Sequence, residues 1–91
     1  MDYYAEFIIV QVVGSLQLQA DGRRINIAAL QSMRELAAND EPEIAIDYLV
    51  NTLNSFGLTL KQDEYDRLSA LAVRLEYTDA LTDIRPELIL S

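Results

Sequence analysis

The chain has 91 residues, 51% of them hydrophobic, and it contains neither cysteine nor histidine. This length suits one domain with a single core, so we expect one helical domain over residues 1–91. The missing residue types exclude disulfides, zinc sites, thiol nucleophiles and histidine acid–base catalysis. We therefore expect a protein that is not an enzyme and that needs no cofactor and no metal.

The net charge of −8 is unevenly distributed along the chain. Residues 1–39 hold four acids and three arginines, whereas residues 40–91 hold eleven acids and four bases, which leaves −7 in that part. This sign opposes direct binding to nucleic acid or to an anionic membrane, and it favours a basic protein partner. A plainer interpretation is that the acidity keeps the protein soluble.

The N-terminal segment, residues 2–19, is compatible with two structures. Its apolar residues fall on two helical faces, so a helix here would be apolar nearly all round and largely buried. Residues 15–27 can instead form a β-hairpin that turns at Asp21-Gly22. We favour the helix, which makes the protein all-α, a small four-helix bundle with a short C-terminal turn. The hairpin would make it α+β.

The longest apolar run, Phe7 to Val13, is too short to span a membrane. It also lacks the basic flank and the cleavage site of a signal peptide. We therefore expect a cytoplasmic protein with no membrane partner.

Two further helices are predicted before residue 57. One runs from Asn26, as N-cap, to about Ala38, and Asn39 ends it in the left-handed conformation. The next begins at Asp40, with a capping box to Glu43 and Pro42 in the first turn, and ends at Gly57. Its predicted buried stripe is Ile44, Tyr48, Leu49, Leu53 and Phe56, and its polar face is Glu43, Asp47, Asn51 and Asn54.

A fourth helix follows a connection of about four residues, which predicts that it lies antiparallel beside the third. Lys61 is its expected N-cap with Glu64 at the third position, and Thr59 with Gln62 is an alternative capping pair. The predicted buried stripe is Tyr65, Leu68, Leu71, Ala72 and Leu75. In the C-terminal tail, Tyr77–Ser91, four aliphatic residues should fold back onto the bundle, because exposed together they would form a large apolar patch. They are Leu81, Ile84, Leu88 and Ile89.

Carboxylate clusters at the starts of the third and fourth helices are the only candidates for site chemistry. Acids in a first turn are favoured by the helix dipole, so a structural role explains them well. No calcium-binding loop pattern is present. Among the tyrosines, Tyr48 and Tyr65 lie on apolar stripes and are expected in the core.

The stretch Glu35–Glu76, ELAANDEPEIAIDYLVNTLNSFGLTLKQDEYDRLSALAVRLE, resembles small immunity proteins of bacterial polymorphic toxin and contact-dependent growth inhibition systems, the MafI-like group. In that group an acidic turn leads into a helix with a Leu-Ala-Leu-Glu-like start, here Ile44–Asp47. A tight turn then leads to Ser/Thr-x-Glu-Glu-Tyr or Phe, here Lys61–Tyr65. Lys61 departs from the usual hydroxyl cap, and Pro42 stands where an aromatic is common.

The resemblance implies a cytoplasmic, all-helical protein that binds one cognate toxin domain, often a nuclease, and blocks its active site by occlusion. Two other classes stay open: an acidic adaptor that forms a homodimer through Phe7–Val13, and an acidic DNA mimic that sequesters a repressor. Either a monomer or a homodimer is compatible with the sequence. The expected partner-binding residues are Asp40, Glu41, Glu43, Asp47, Asp63, Asp66, Asp79 and Asp83.

Overall fold

The protein is a small all-α four-helix bundle, as predicted. The computed structural model describes residues 3–91. The elements are α1 (Tyr3–Gly22), α2 (Ala28–Ala38), α3 (Pro42–Phe56), β1 (Leu60–Lys61), α4 (Gln62–Arg74), a 3₁₀ turn (Pro86–Leu88) and β2 (Ile89–Leu90). The hairpin alternative is wrong, because α1 continues through Gly22. Within residues 3–91, no helix is both long and apolar enough to cross a membrane.

The helices pack around α1 and α2. The helix α2 lies against both α1 and α3, and α4 packs on α1. One cluster of buried aliphatic side chains joins all four helices and the tail. The predicted close pairing of α3 with α4 is wrong, since α4 makes its main contacts with α1 and the two short strands. The short connection limits how far α4 can move from α3, but the apolar face of α1 decides where it packs.

Only one face of α1 is buried, although its sequence is apolar nearly all round. The core takes Ala5, Ile8, Ile9, Val12, Val13, Leu16 and Ala20. Phe7 and Val10 point outward, with 58% and 40% of their surface exposed. The expectation of a largely buried helix is therefore only half right, and an apolar stripe remains on the outside of the molecule.

All four helices of the described chain end in the same hydrogen-bonded turn. In each, the N–H of a residue two or three positions beyond the helix bonds to the carbonyl five residues earlier, in the last turn, which is the Schellman arrangement. The residue before it is left-handed in every case. These residues are Arg24, Asp40, Gly57 and Glu76, at φ of 57°, 60°, 64° and 57°. The bonds run from Ile25 to Ala20, Glu41 to Leu36, Leu58 to Leu53 and Tyr77 to Ala72, at 2.8–3.2 Å.

This turn overrides the predicted caps between α2 and α3. Asp40 is the left-handed residue that closes α2, so it is not the N-cap of α3 and forms no capping box with Glu43. Glu41 takes the N-cap position without a side-chain bond, and Pro42 is the first helical residue as expected. Asn39 has φ of −95°, and its side chain donates instead to the Glu35 carbonyl (2.8 Å). The predicted Asn26 cap is also wrong, because α2 begins at Ala28 after Ile27.

The buried face of α3 is rotated from the predicted stripe. Leu49 and Leu53 are buried as expected, but Ile44, Tyr48 and Phe56 are 43–44% exposed. The core instead receives Pro42, Ala45, Ile46, Val50 and Thr52. The helix α2 packs against α3, so this contact decides which face of α3 is buried. Tyr48 is therefore not a core tyrosine, whereas Tyr65 packs partly buried against the core.

The helix α4 begins as predicted, with Lys61 as its N-cap and Glu64 at the third position. Glu64, only 6% exposed, accepts a hydrogen bond from the Lys61 N–H at 2.8 Å. This is the half of a capping box that a lysine N-cap permits, because an ammonium group cannot accept a bond from the third amide. The Thr59–Gln62 alternative is not formed, since the Thr59 N–H and hydroxyl both bond to Gln19. The buried stripe contains Leu68, Leu71 and Ala72 as predicted, and Tyr65 and Leu75 lie partly buried at its edges.

The last turns of α1 hold the connection between α3 and α4. Gln19 forms a two-way bond with the Thr59 backbone, donating to its carbonyl at 2.8 Å and accepting from its N–H at 2.9 Å. One turn later, Arg23 donates to the carbonyls of Phe56 and Gly57 at 2.9 and 3.1 Å. A cation at the last carbonyls of a helix also complements its dipole. The end of α3 is thus fixed to α1 by side chains far apart in sequence.

The C-terminal tail folds back as predicted. Leu81, Ile84 and Leu88 are buried and Ile89 is partly buried. Beyond the 3₁₀ turn, the tail forms a short parallel pair in which Leu60 faces Ile89 and Lys61 faces Leu90. The sequence did not predict this pairing, because two-residue strands carry no periodicity.

The two glycines Gly14 and Gly57 should respond oppositely to alanine. At Gly14, inside α1, an added Cβ meets no atom within 4 Å, so alanine should raise the free energy of unfolding by about 1 kcal/mol. At Gly57, which has φ of +64°, the same substitution should lower it by about 1 kcal/mol. Urea unfolding of both variants measures these changes. Equal effects of the same sign would contradict the assigned backbone conformations.

Candidate functional site: an acidic groove between α3 and the tail

A groove of about 440 Å³ lies between α3 and the tail. Polar side chains of α3, spaced at one-turn intervals, form one wall, and residues following α4 form the other. The α3 wall is Asp47, Val50, Asn51 and Asn54, and the tail wall is Tyr77, Asp79, Ala80 and Asp83. Because Ala80 and Val50 are buried beneath the polar groups, the groove has an apolar base and an acidic rim.

Asn54 holds the two walls together. Its side chain donates to the Asp83 carbonyl at 2.8 Å and accepts from the Arg85 N–H at 3.1 Å. The Arg85 guanidinium returns a bond to the Asn54 backbone carbonyl at 2.9 Å. The amide thus satisfies one donor and one acceptor of the tail backbone, which fixes the position of residues 83–85 along α3.

A second link joins Tyr77 to Asp47. The Tyr77 hydroxyl donates to Asp47 Oδ1 at 2.5 Å, a short bond of the kind that a hydroxyl forms with a carboxylate. This bond raises the pKa of Tyr77 above its ordinary value of 10.0, with further contributions from desolvation and from the charges of Asp47, Asp79 and Asp83. Tyr77 is therefore protonated at neutral pH, and it directs its hydroxyl hydrogen at Asp47.

The three groove aspartates form no ion pair with a base of residues 3–91, although the Arg85 guanidinium lies nearby at the Asn54 carbonyl. Within residues 3–91, no lysine or arginine nitrogen lies within 4 Å of a carboxylate oxygen of Asp47, Asp79 or Asp83, whereas Asp63 pairs with Arg67 at 2.8 Å. No group of three acids in that range is arranged to hold a metal ion. Carboxylates without an ion-pair partner can accept hydrogen bonds from a cationic group, such as a lysine or arginine side chain of a partner.

The predicted contact residues divide into three locations. Asp47, Asp79 and Asp83 meet in the groove although they are far apart in sequence. Asp40, Glu41 and Glu43 are exposed around the start of α3, and Glu43 lies one turn before Asp47. Asp63 and Asp66 are exposed on α4, where Arg67 and Gln62 bond to them within the same helix. The structure thus does not bring all eight acids into one site.

Three polar residues of the groove were not among the predicted partner-binding residues: Asn51, Asn54 and Tyr77. The sequence pattern places Asn51 and Asn54 on the polar face of α3 with Asp47, so it contains the signal that they share a wall. Tyr77 carried no such signal, because its role depends on the tail crossing α3. Burial of Leu81 and Ile84 supplies that crossing.

Comparisons with protein-family models, with curated proteins and with solved structures find no match to this chain. Its function must therefore be inferred from the groove, the charge distribution and the sequence resemblance.

Loss of the Asn54 amide should loosen the tail. Asn54→Ala removes two side-chain hydrogen bonds and should lower the free energy of unfolding by about 1–2 kcal/mol. In this variant, amide hydrogen exchange at residues 80–88 should become faster than in wild type, and exchange in α2 should change less. The control is Asn51→Ala, which truncates an exposed asparagine on the same wall and should change stability by about 0.5 kcal/mol or less. Uniform exchange changes in both variants would contradict the anchoring role.

The Tyr77–Asp47 bond predicts a pH dependence of stability. Because the pKa of Tyr77 is raised on folding, its contribution is fully present below pH 10, and it is lost as pH rises through the folded pKa. Wild type should therefore be more stable than Tyr77→Phe at neutral pH, and this difference should shrink in alkali. Denaturant unfolding between about pH 8 and 12 tests this, with Tyr48→Phe as the control outside the groove. A constant difference between wild type and Tyr77→Phe would rule out the linkage.

Proposed function

We propose that this protein is an immunity protein that binds a basic toxin domain, of nuclease type, and occludes its active site. The observation that carries the proposal is the groove, in which Asp47, Asp79 and Asp83 lie together without a basic partner from residues 3–91. The resemblance of residues 35–76 to the MafI-like immunity group supports the same conclusion. An acidic adaptor would share the charge but would not need it concentrated in a concave site.

The charge of the groove matches what a nuclease exposes. An enzyme that cleaves nucleic acid needs cationic side chains to hold the phosphate backbone. Carboxylates that occupy the same positions bond to those cations and exclude the substrate. The acidic half of the chain, with a net charge of −7 over residues 40–91, would also accelerate encounter with such a surface.

The dimensions and rigidity of the groove suit side chains of a protein partner. About 440 Å³ accommodates one or two extended lysine or arginine side chains, whose methylene groups would contact the apolar base at Val50 and Ala80. Asn54 and Tyr77 fix the two walls before binding, which reduces the entropy lost on association. Asn51 offers a further amide at the rim.

The same proposal assigns roles to the other acids. Glu43 extends the negative surface one turn along α3, with Asp40 and Glu41 at its end, so these residues would contribute to steering and to rim contacts. Asp63 and Asp66 lie on α4 and bond within that helix, so we assign them a minor part in binding. Action inside the cell, where a nuclease meets its nucleic acid, makes the cytoplasm the proposed location.

The direct test is neutralisation of the cognate toxin domain, which we expect to be encoded immediately upstream of this gene. Co-expression should restore growth of cells that produce that toxin, and the purified protein should inhibit cleavage of nucleic acid by it. Failure to protect cells and failure to form a complex would together contradict the proposal. Capture of a DNA-binding repressor in place of a toxin would select the DNA-mimic alternative.

Two matched double variants separate the groove from general acidity. Asp79→Asn/Asp83→Asn and Asp63→Asn/Asp66→Asn each remove two exposed charges and leave the same net charge. The double variant in the groove, Asp79→Asn/Asp83→Asn, should bind the toxin about 100-fold more weakly, because it loses two close charge pairs of about 1.5 kcal/mol each. The α4 pair should change Kd by about threefold or less. Calorimetric titration measures both, and equal losses would show that net charge, not the groove, governs binding.

A further inference from the structure

The outer face of α1 carries an apolar stripe that the fold leaves uncovered. Tyr3, Phe7, Val10 and Leu18 follow one another at helical spacing and are 72%, 58%, 40% and 74% exposed. A shallow depression between Tyr3 and Gln11 follows the same line. None of these residues belongs to the acidic groove, whose walls are α3 and the tail. The stripe therefore requires an explanation independent of toxin binding.

We propose that this stripe is a homodimer interface in which α1 packs antiparallel against α1 of a second copy. An antiparallel pair centred between Val10 and Gln11 brings residues whose numbers sum to 21 face to face. Phe7 of one copy then meets Gly14 of the other, and Tyr3 meets Leu18. The arrangement is isologous, so the same contacts occur twice across the two-fold axis.

The shape of the stripe favours this register. Gly14 is exposed in the middle of α1, and the space above its Cα is open, with no atom within 4 Å of the position of a Cβ. The exposed Phe7 ring and the open space at Gly14, here called the notch, lie seven residues apart on one face of α1. The ring of one copy can therefore enter the notch of the other, and the reverse, only when the two helices run in opposite directions. Small residues at helix crossings allow close backbone approach, which increases packing between the two stripes.

Charge also favours the antiparallel orientation. The acids described on α1 are Glu6 and Asp21, near its two ends, and neither has a base beside it on the helix. A parallel pair would place Glu6 against Glu6 and Asp21 against Asp21. The antiparallel pair places Glu6 opposite Ser15 and carries Asp21 past the end of the partner helix, and it also aligns the two helix dipoles favourably.

The exposed area sets the strength of the dimer. Aromatic side chains present roughly 200 Å² each, so the stripe exposes about 500 Å² per copy and buries about 1,000 Å² in the pair. That is the lower limit for a specific interface, and the whole chain carries −8, so two copies repel each other. We therefore expect a dimer with a Kd of roughly micromolar order that strengthens as salt screens the repulsion.

Sedimentation equilibrium of the full chain tests the interface. Wild type should change from monomer to dimer as concentration rises through roughly micromolar values, and Phe7→Glu should remain monomeric. The matched control is Val73→Glu, which changes an exposed apolar residue of α4 (64% exposed) and should dimerise as wild type does. A wild-type monomer at all concentrations, or a dimer that Phe7→Glu leaves intact, would overturn the proposal.

The notch provides a sharper test. Gly14→Leu is accommodated by the free monomer, because the added side chain enters open space, and leucine favours the helix more than glycine does. It should nevertheless weaken the dimer at least tenfold, since the leucine fills the space that the partner's Phe7 requires. A dimer as strong as wild type in this variant would refute the Phe7–Gly14 contact. The melting temperature, measured at a concentration where wild type is monomeric, reports whether the variant is folded.

Disulfide trapping determines the relative orientation of the two α1 helices. The chain has no native cysteine, so only the introduced cysteine can form a disulfide. In the antiparallel pair, Val10→Cys lies beside its own counterpart and should oxidise to a covalent dimer. Leu18→Cys should stay reduced, because it faces Tyr3. Efficient trapping of both variants would indicate parallel helices and would overturn the register.

Discussion

The tail of this protein lies against α3 although both surfaces are negatively charged. Asp79 and Asp83 approach the wall that carries Asp47, and like charges at short range oppose such contact. Burial of Leu81, Ile84 and Leu88 and the Asn54 bonds to the tail backbone outweigh that repulsion. The groove exists because apolar burial and neutral hydrogen bonds hold together carboxylates that would otherwise separate.

This arrangement links the stability of the fold to its binding. A cationic group placed between the three aspartates would relieve the repulsion between the walls, so a basic partner would stabilise the folded tail in addition to gaining its own contacts. The Tyr77–Asp47 bond keeps the rim narrow and its acceptors oriented. The outer stripe of α1 lies on a different helix, so a dimer formed there would leave two grooves accessible.

The sequence predicted the elements better than their edges and faces. Helical periodicity and Gly57 located the helices, and the aliphatic spacing of the tail predicted its return to the core. The predicted cap at Asp40 was wrong because two roles compete for this residue. It can end α2 in a left-handed turn that satisfies the last carbonyls of α2, or it can cap the start of α3, and the local sequence pattern does not show which is more stable. Tyr48 was wrongly placed in the core because the approach of α2 selects which face of α3 is buried. Of the site, Asp47, Asp79 and Asp83 were predicted individually, but their meeting depends on a tertiary crossing that no local pattern encodes.

The most direct measurement of the central claim is an NMR titration of the 91-residue chain with a short arginine peptide, which requires no knowledge of the natural partner. The account predicts that the largest amide shifts occur at residues 47–54 and 77–83, that they disappear at high salt, and that they are lost in Asp79→Asn/Asp83→Asn. Shifts of equal size at Asp63 and Asp66 on α4, or shifts unaffected by the groove substitutions, would contradict it.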